Sequence, residues 1–200
     1  LIGVPIGVIS GCKQYSIVDT VTMLLALLLT SMPAFWLGLL LMLVFALNLG
    51  WFPAMGVDTL KSYVLPCVTL ATAMTASLLR MTRSSMLEVI RQDYIRTARA
   101  KGASERRVVF KHALRNALLP VITVIGLNYG AMFGGAMVTE TVFSVPGIGS
   151  LLVTSVRMKD TPTVVTCVII IAVFISLINL LIDLLYTYID PRLKSQFTKG

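Results

Sequence analysis

Between Asp93 and Pro120 the chain reads DYIRTARAKGASERRVVFKHALRNALLP, and its ionic side chains crowd around this stretch. Ten Lys and Arg lie between Arg80 and Arg115 against three acids, Glu88, Asp93 and Glu105, a local net charge of +7. Clustered guanidinium and ammonium groups attract carboxylates, phosphates and anionic lipid, and by themselves they break no bonds. The other candidates for chemistry are few. His112, the sole histidine, has no Cys or carboxylate at ligand spacing, so a metal site lacks its partners. Cys12, Cys67 and Cys167 are widely spaced in or beside apolar runs, which predicts small buried side chains rather than a disulfide framework. Asp183 is an acid near the end of an apolar run, with Asn179 a turn earlier. An ionisable residue in such a place is a functional candidate, and equally a group that snorkels or pairs with a neighbouring chain. The sequence contains no G-x-x-x-x-G-K-[ST], so any ATP and Mg must be held by another chain. Without Gly-x-Ser-x-Gly or paired intramembrane aspartates, an intramembrane protease lacks its machinery. A channel lacks a charged ring or filter-like segment.

What must position the basic stretch is strongly apolar. Hydrophobic residues make up 56% of the chain and charged residues 13%, with a mean hydropathy of +0.88. Soluble domains sit at roughly 45–50% apolar. The excess is blocked into uncharged runs, Thr20 to Leu49, Ser62 to Leu79, Asn116 to Thr139 and Thr161 to Ile182. Runs of roughly 18 or more apolar residues read as transmembrane helices. The pattern predicts an all-α polytopic transmembrane bundle with spans at about 20–49, 62–81, 117–138 and 164–188 and a polar loop at 82–116. Residues 1–11, apolar but too short to span, are expected to be the end of a helix that starts before residue 1, an N-terminal truncation. Pro33 is expected to kink the long first run. Gly3, Gly7 and Gly11, and again Gly126, Gly130 and Gly134, recur every fourth residue, a spacing that favours close helix packing in lipid.

Charge sets the expected topology. The +7 loop belongs in the cytoplasm by the positive-inside rule. Alternation then puts 50–61 and 140–160 outside, where charges cancel, and the tail with Arg192, Lys194 and Lys199 inside. Trp51 with Phe52, and Tyr186 with Tyr188, stand where interfacial aromatics are expected.

The loop is patterned rather than merely basic. Ser85 and Glu88 have capping-box spacing and predict a helix start, with Leu87, Ile90, Tyr94 and Ala98 on one face. Arg96, Arg99 and Lys101 suit the negative end of that helix, and Gly102 suits a left-handed C-cap. Ser104 is positioned to cap a second helix with Glu105 in its first turn. Attraction to anionic lipid needs only the charge, and nucleic-acid binding lacks an aromatic platform. Ordered caps around a glycine turn favour a surface that a partner protein grips.

These residues carry a resemblance. DYIRTARAKGASERRVVFKHALRNALLP, ETVFSVPGIGSLLVTSVRMKDTPTV and NLLIDLLYTYIDPRLK resemble the permease subunits of ABC importers for dipeptides, oligopeptides, glutathione and nickel. The general importer loop has Glu-Ala-Ala, three residues, Gly, then Ile-x-Leu-Pro. Here Arg96 and Thr97 replace the first two, Ala98 and Gly102 match, His112 and Leu114 take the Ile and Leu places, and Arg115 the Pro place. The resemblance implies a bacterial inner-membrane permease moving short peptides by alternating access, with a nickel or glutathione importer as the alternative. It implies a second permease subunit, two ATPase subunits and an extracytoplasmic binding protein as partners. It puts Ala98 and Gly102 at the ATPase contact, flanked by Arg96, Arg99 and Lys101, so that the expected coupling surface is Arg96, Thr97, Ala98, Arg99, Lys101, Gly102, Ala103 and Ser104. It favours a re-entrant or interfacial element at the outer mouth for FSVPGIGSLL, whose turn residues alone fit a plain surface loop.

Overall fold

The computed structural model describes residues 2–189, without the side chains of Leu127, Asp183 and residues 185–189. Asp183, Tyr186, Tyr188 and the basic tail therefore fall outside the side chains described. Among the described residues the chain is helical, with α1 (Gly3–Cys12), α2 (Ile17–Ser31), α3 (Ala34–Leu41), α4 (Val64–Ile90), α5 (Asp93–Ala100), α6 (Glu105–Arg107), α7 (Leu114–Val142), α8 (Ile148–Met158) and α9 (Thr161–Ile189). Wider π-helical turns continue α3 over Met42–Asn48 and join α6 to α7 over Val108–Ala113. The first long run breaks at Pro33, whose backbone is extended (ψ 136°), so α2 and α3 are separate helices. Among the described residues three helices are long and apolar enough to cross a membrane, or four if the broken pair counts as one span.

The chain divides into two compact units, the first drawn from residues up to Leu28, Thr75–Leu127 and from Asn179, the second from Leu29–Met74 and Asn128–Ile178. In the first unit, α1 lies directly on α4. A Cβ at Gly3 would meet the Thr75 carbonyl oxygen at 2.5 Å, and one at Gly7 the Leu79 carbonyl oxygen and Thr82 Cβ at 2.7 Å. One at Gly11 would meet Met86 Cβ at 2.8 Å. Only hydrogen fits at this seam, which is why small residues recur there. The seam continues into a cluster of Val8, Met86, Ile95, Val108, Ala113 and Ala117 that joins α1, α4 and α5 to the start of α7.

This packing overrules two local signals. Ser85 and Glu88 do not open a helix; α4 runs through both to Ile90. With Met86 fully buried and Gly7 and Gly11 seated along α4, unbroken helix is worth more here than a cap. The break falls at Arg91–Gln92, and it is Ile95, not Tyr94, that faces the core: Ile95 is fully buried and Tyr94 exposed. Cysteine burial is also corrected, since Cys167 is buried but Cys12 and Cys67 are exposed. A thiol at either of those positions simply lies on an outward helix face.

One ionic contact crosses the first unit. Arg83 Nε and Nη2 donate to Asp19 Oδ1 and Oδ2 at 2.5 and 2.7 Å. Asp19 also accepts from Ser10 Oγ at 2.5 Å and from the Tyr15 backbone N–H at 3.0 Å. Its side chain is 4% exposed and that of Arg83 20%, so α1, α2 and α4 share a desolvated polar node.

In the second unit, Met42, Leu65 and Phe143 form the core. Gly38 admits the Phe143 ring, which lies 3.2 Å from where its Cβ would be. Glu140, in the last turn of α7, accepts the Ser150 N–H in the first turn of α8 at 2.8 Å. The carboxylate sits so close to Gly147 and Gly149 that a Cβ on either would collide with it. The Pro-Gly-Ile-Gly segment is therefore shaped to let α7 cap α8, with the carboxylate at the positive end of the helix dipole.

Removing one partner of a buried ion pair strands the other, at about 3–5 kcal/mol, whereas replacing both with apolar groups is often near neutral. Asp19→Leu should therefore sharply lower the unfolding midpoint in detergent, and Asp19→Leu combined with Arg83→Met should recover most of it. A double variant as unstable as the single would show that the charge pair itself is required.

Candidate functional site: the basic helix–turn–helix

The basic insert folds around Gly102. Gln92, with an extended backbone, precedes α5, and Asp93 lies in its first turn while Arg99 lies in its last. Gly102 takes φ +79°, in the left-handed region. Two reverse hydrogen bonds close the helix end: Ala103 N–H to Ala98 O at 3.2 Å and Gly102 N–H to Arg99 O at 2.9 Å. This is the Schellman pattern, which satisfies carbonyls that a helix end otherwise leaves unpaired. Ala98 and Ala103, the residues joined by the outer bond, both pack on the buried cluster that contains Ile95 and Val108. The turn is thus anchored from below as well as closed along the backbone.

A second clasp spans the turn on its exposed side. Arg99 Nε and Nη2 donate to Glu105 Oε1 and Oε2 at 2.7 and 3.2 Å. This two-point hydrogen bond raises the Arg99 guanidinium pKa further above its ordinary value. Ser104 stands at the N-cap of the next helix and its carbonyl accepts the Val108 N–H at 2.9 Å, but its hydroxyl makes no cap hydrogen bond. Farther along, Asn116 Nδ2 donates to Tyr94 Oη at 2.8 Å, tying the start of α5 to α7. Arg91 Nη2 donates to Gln14 Oε1 at 3.1 Å, tying the same region to the α1–α2 turn.

The residues singled out from sequence therefore separate by role. Ala98, Gly102 and Ala103 build the turn, and Arg99 braces it through Glu105. Thr97 is exposed, and its hydroxyl returns to the Asp93 carbonyl at 3.0 Å. Lys101 and Arg96 are both exposed, and the contact of Arg96 with Asp93 is loose at 3.8 Å. Arg106, Arg107 and Lys111 are exposed beside them. The element is a hydrogen-bonded elbow with a cationic outer face. Of the other glycine stripe, Gly126 lies where a Cβ would meet Ile182 Cγ2 at 3.2 Å, while among the described residues nothing beyond the helix's own backbone and the adjacent residues comes within 4 Å of one at Gly130 or Gly134. The Asp19–Arg83 node and the Glu140 cap were missed from sequence. The one signal for the node was Asp19, a lone acid directly before an uncharged run; Arg83 was hidden among the ten cations of the basic segment.

Comparison with known proteins places this geometry in context. Residues 3–195 match the family model described as binding-protein-dependent transport system inner membrane component. The dipeptide transport system permease protein of Alkalihalophilus pseudofirmus is 44% identical over 222 residues, covering 97% of this chain and 67% of that protein. The glutathione transport system permease protein of Pectobacterium atrosepticum is 46% identical, with 97% and 63% covered. The oligopeptide transport system permease protein of Bacillus subtilis is 46% identical, with 97% and 65% covered. The chain thus spans about two thirds of the length of these relatives.

The elbow's geometry gives a graded expectation for its glycine. Apart from the adjacent residues, no described heavy atom lies within 4 Å of a Cβ built at Gly102, so Gly102→Ala carries only the left-handed backbone cost, about 1 kcal/mol. Gly7→Ala drives a Cβ into the α4 backbone and should cost more, because α1 must move. Unfolding curves of both variants in the same detergent check the order, and a Gly102→Ala loss as large as that of Gly7→Ala contradicts it.

Proposed function

The chain belongs to the family of inner-membrane components of binding-protein-dependent transport systems, and from that premise we propose that it is the transmembrane permease subunit of a bacterial ATP-driven ABC importer of short peptides. It lies in the cytoplasmic membrane with several spans and pairs with a second permease subunit. An extracytoplasmic binding protein delivers substrate to the outer face, and two ATPase subunits act from the cytoplasm. ATP and Mg are handled by those subunits. This chain supplies the path and the mechanical contact, and alternates between outward-open and inward-open forms.

The observation that carries the coupling role is the Schellman elbow at Gly102. A coupling element must pass a push from one protein to another without absorbing it, so its own backbone has to be closed and anchored. Here two backbone bonds, the Arg99–Glu105 clasp and the Ala98 and Ala103 packing supply that stiffness. The exposed cations Arg96, Lys101, Arg106 and Arg107 supply a face complementary to an acidic groove on an ATPase. Peptides are favoured as substrates by the dipeptide and oligopeptide permeases among the relatives. The glutathione permeases, at similar identity, support glutathione as a second reading, itself a short peptide.

Reconstitution tests the division of labour. The permease pair alone should show no ATP turnover; adding the ATPase subunits should give hydrolysis, and the loaded binding protein should stimulate it. Gly102→Asp adds a side chain and a negative charge to the cationic elbow, and should uncouple uptake or weaken ATPase attachment while membrane insertion persists. Wild-type uptake by Gly102→Asp would remove the elbow from the coupling path.

A further inference from the structure

Two adjoining cavities flank the start of α8 in the second unit. The first, about 300 Å³, is lined by Glu140, Thr141, Ser144, Thr154 and Arg157 among others. The second, about 510 Å³, is lined mainly by the apolar side chains of Pro146, Ile148 and Leu151. Pro146, Ser150 and Thr154 border both. Both are open to the surface.

The first cavity holds opposite charges that do not neutralise each other. Arg157 is exposed and makes no ion pair or hydrogen bond among the described residues, although a carboxylate lines the same cavity. Glu140 is fixed by the Ser150 N–H on Oε2, and an ionised carboxylate has roughly four acceptor positions, so it retains capacity for a donor. Its place is rigidly set, because Gly147 and Gly149 let the α8 backbone close around it. Ser144, held at φ +53°, adds an exposed hydroxyl on the same wall.

A fixed anion, a separate free cation, hydroxyls and an adjoining apolar recess match the chemistry of one ligand class. We propose that this is a subsite for a short zwitterionic peptide, with Glu140 receiving the α-ammonium, Arg157 the α-carboxylate and the apolar recess a side chain. The inference rests on the peptide-importer reading and adds to it where on this chain substrate is held. Arg suits the carboxylate end because its planar fork can donate two parallel bonds. Glu140 serves as ammonium acceptor without moving, since its other oxygen is already anchored.

The test uses the complete transporter with its binding protein and ATPases in proteoliposomes. Uptake of trialanine is compared with that of trialanine amide and of N-acetyl-trialanine. Because the same binding protein serves wild type and variant, its own preferences cancel in the comparison between them. Arg157→Gln should raise the half-saturating concentration for trialanine roughly tenfold, the size of one lost charge-assisted contact, and change that for the amide less than about twofold. Glu140→Gln keeps an acceptor for the Ser150 N–H and should show the reciprocal pattern, penalising trialanine but sparing the N-acetyl form. Arg157→Lys should restore part of the loss. Equal losses on free and blocked peptides, as expected if this wall instead docks the binding protein or a zwitterionic lipid headgroup, would overturn the subsite and leave the importer reading intact. Unchanged uptake in both variants would do the same. Failure of the wild-type complex to take up any of the three peptides would overturn the peptide reading itself, and the subsite with it.

Discussion

The left-handed backbone at Gly102 is the constraint around which the basic segment is organised. A residue with a Cβ enters that region at a cost, whereas glycine enters freely, and the turn there aims two reverse hydrogen bonds at the last carbonyls of α5. Once those bonds form, Ala98 and Ala103 lie together on the cluster of Ile95, Val108 and Met86. Arg99 can then reach Glu105 across the turn. The exposed clasp contributes little stability by itself, since surface pairs are worth about 0–1 kcal/mol. Its role is to hold orientation, while apolar burial beneath holds position. Cations that such a folded elbow presents keep a fixed spacing, which a floppy basic linker could not offer.

Glycine performs three separate tasks in this chain, and they were not equally readable. At Gly102 the task is a backbone angle, and the flanking order of basic residues, Gly, Ser and Glu made it legible. Along Gly3, Gly7 and Gly11 the task is close approach to α4, which the four-residue spacing suggests without naming the partner. At Gly147 and Gly149 it is room for a carboxylate from another helix, and nothing local announces a contact with Glu140. Gly126, Gly130 and Gly134 have the same spacing as the first stripe, yet among the described residues only Gly126 meets a neighbour from another helix. Spacing reports what a helix permits; the partner decides what is used.

The helical, membrane-spanning class was plain in the sequence because uncharged runs of such length have few other uses. Its interruptions were harder. Pro33 announced a break, and the structure has one there. Ser85 and Glu88 announced a start that does not exist, because buried Met86 and the α1 seam hold α4 in one piece. Asp19 and Arg83 stand 64 positions apart, so no local pattern links them, although Asp19 is a lone acid directly before an uncharged run. A desolvated pair of this kind is costly unless fully partnered, and Ser10 and the Tyr15 amide complete the partnering.

The central claim is that the elbow at Gly102 is the part of this chain that an ATPase moves. The most direct measurement places single cysteines at Ala103 and on the ATPase surface, in a transporter without native cysteines, and follows disulfide crosslinking with and without ATP. A contact that couples two states must differ between them. The account predicts a crosslink in the assembled complex whose yield changes with nucleotide. If no position from Arg96 to Arg106 crosslinks to the ATPase in either state, the basic elbow serves only to orient the chain in the membrane, and the coupling role is wrong.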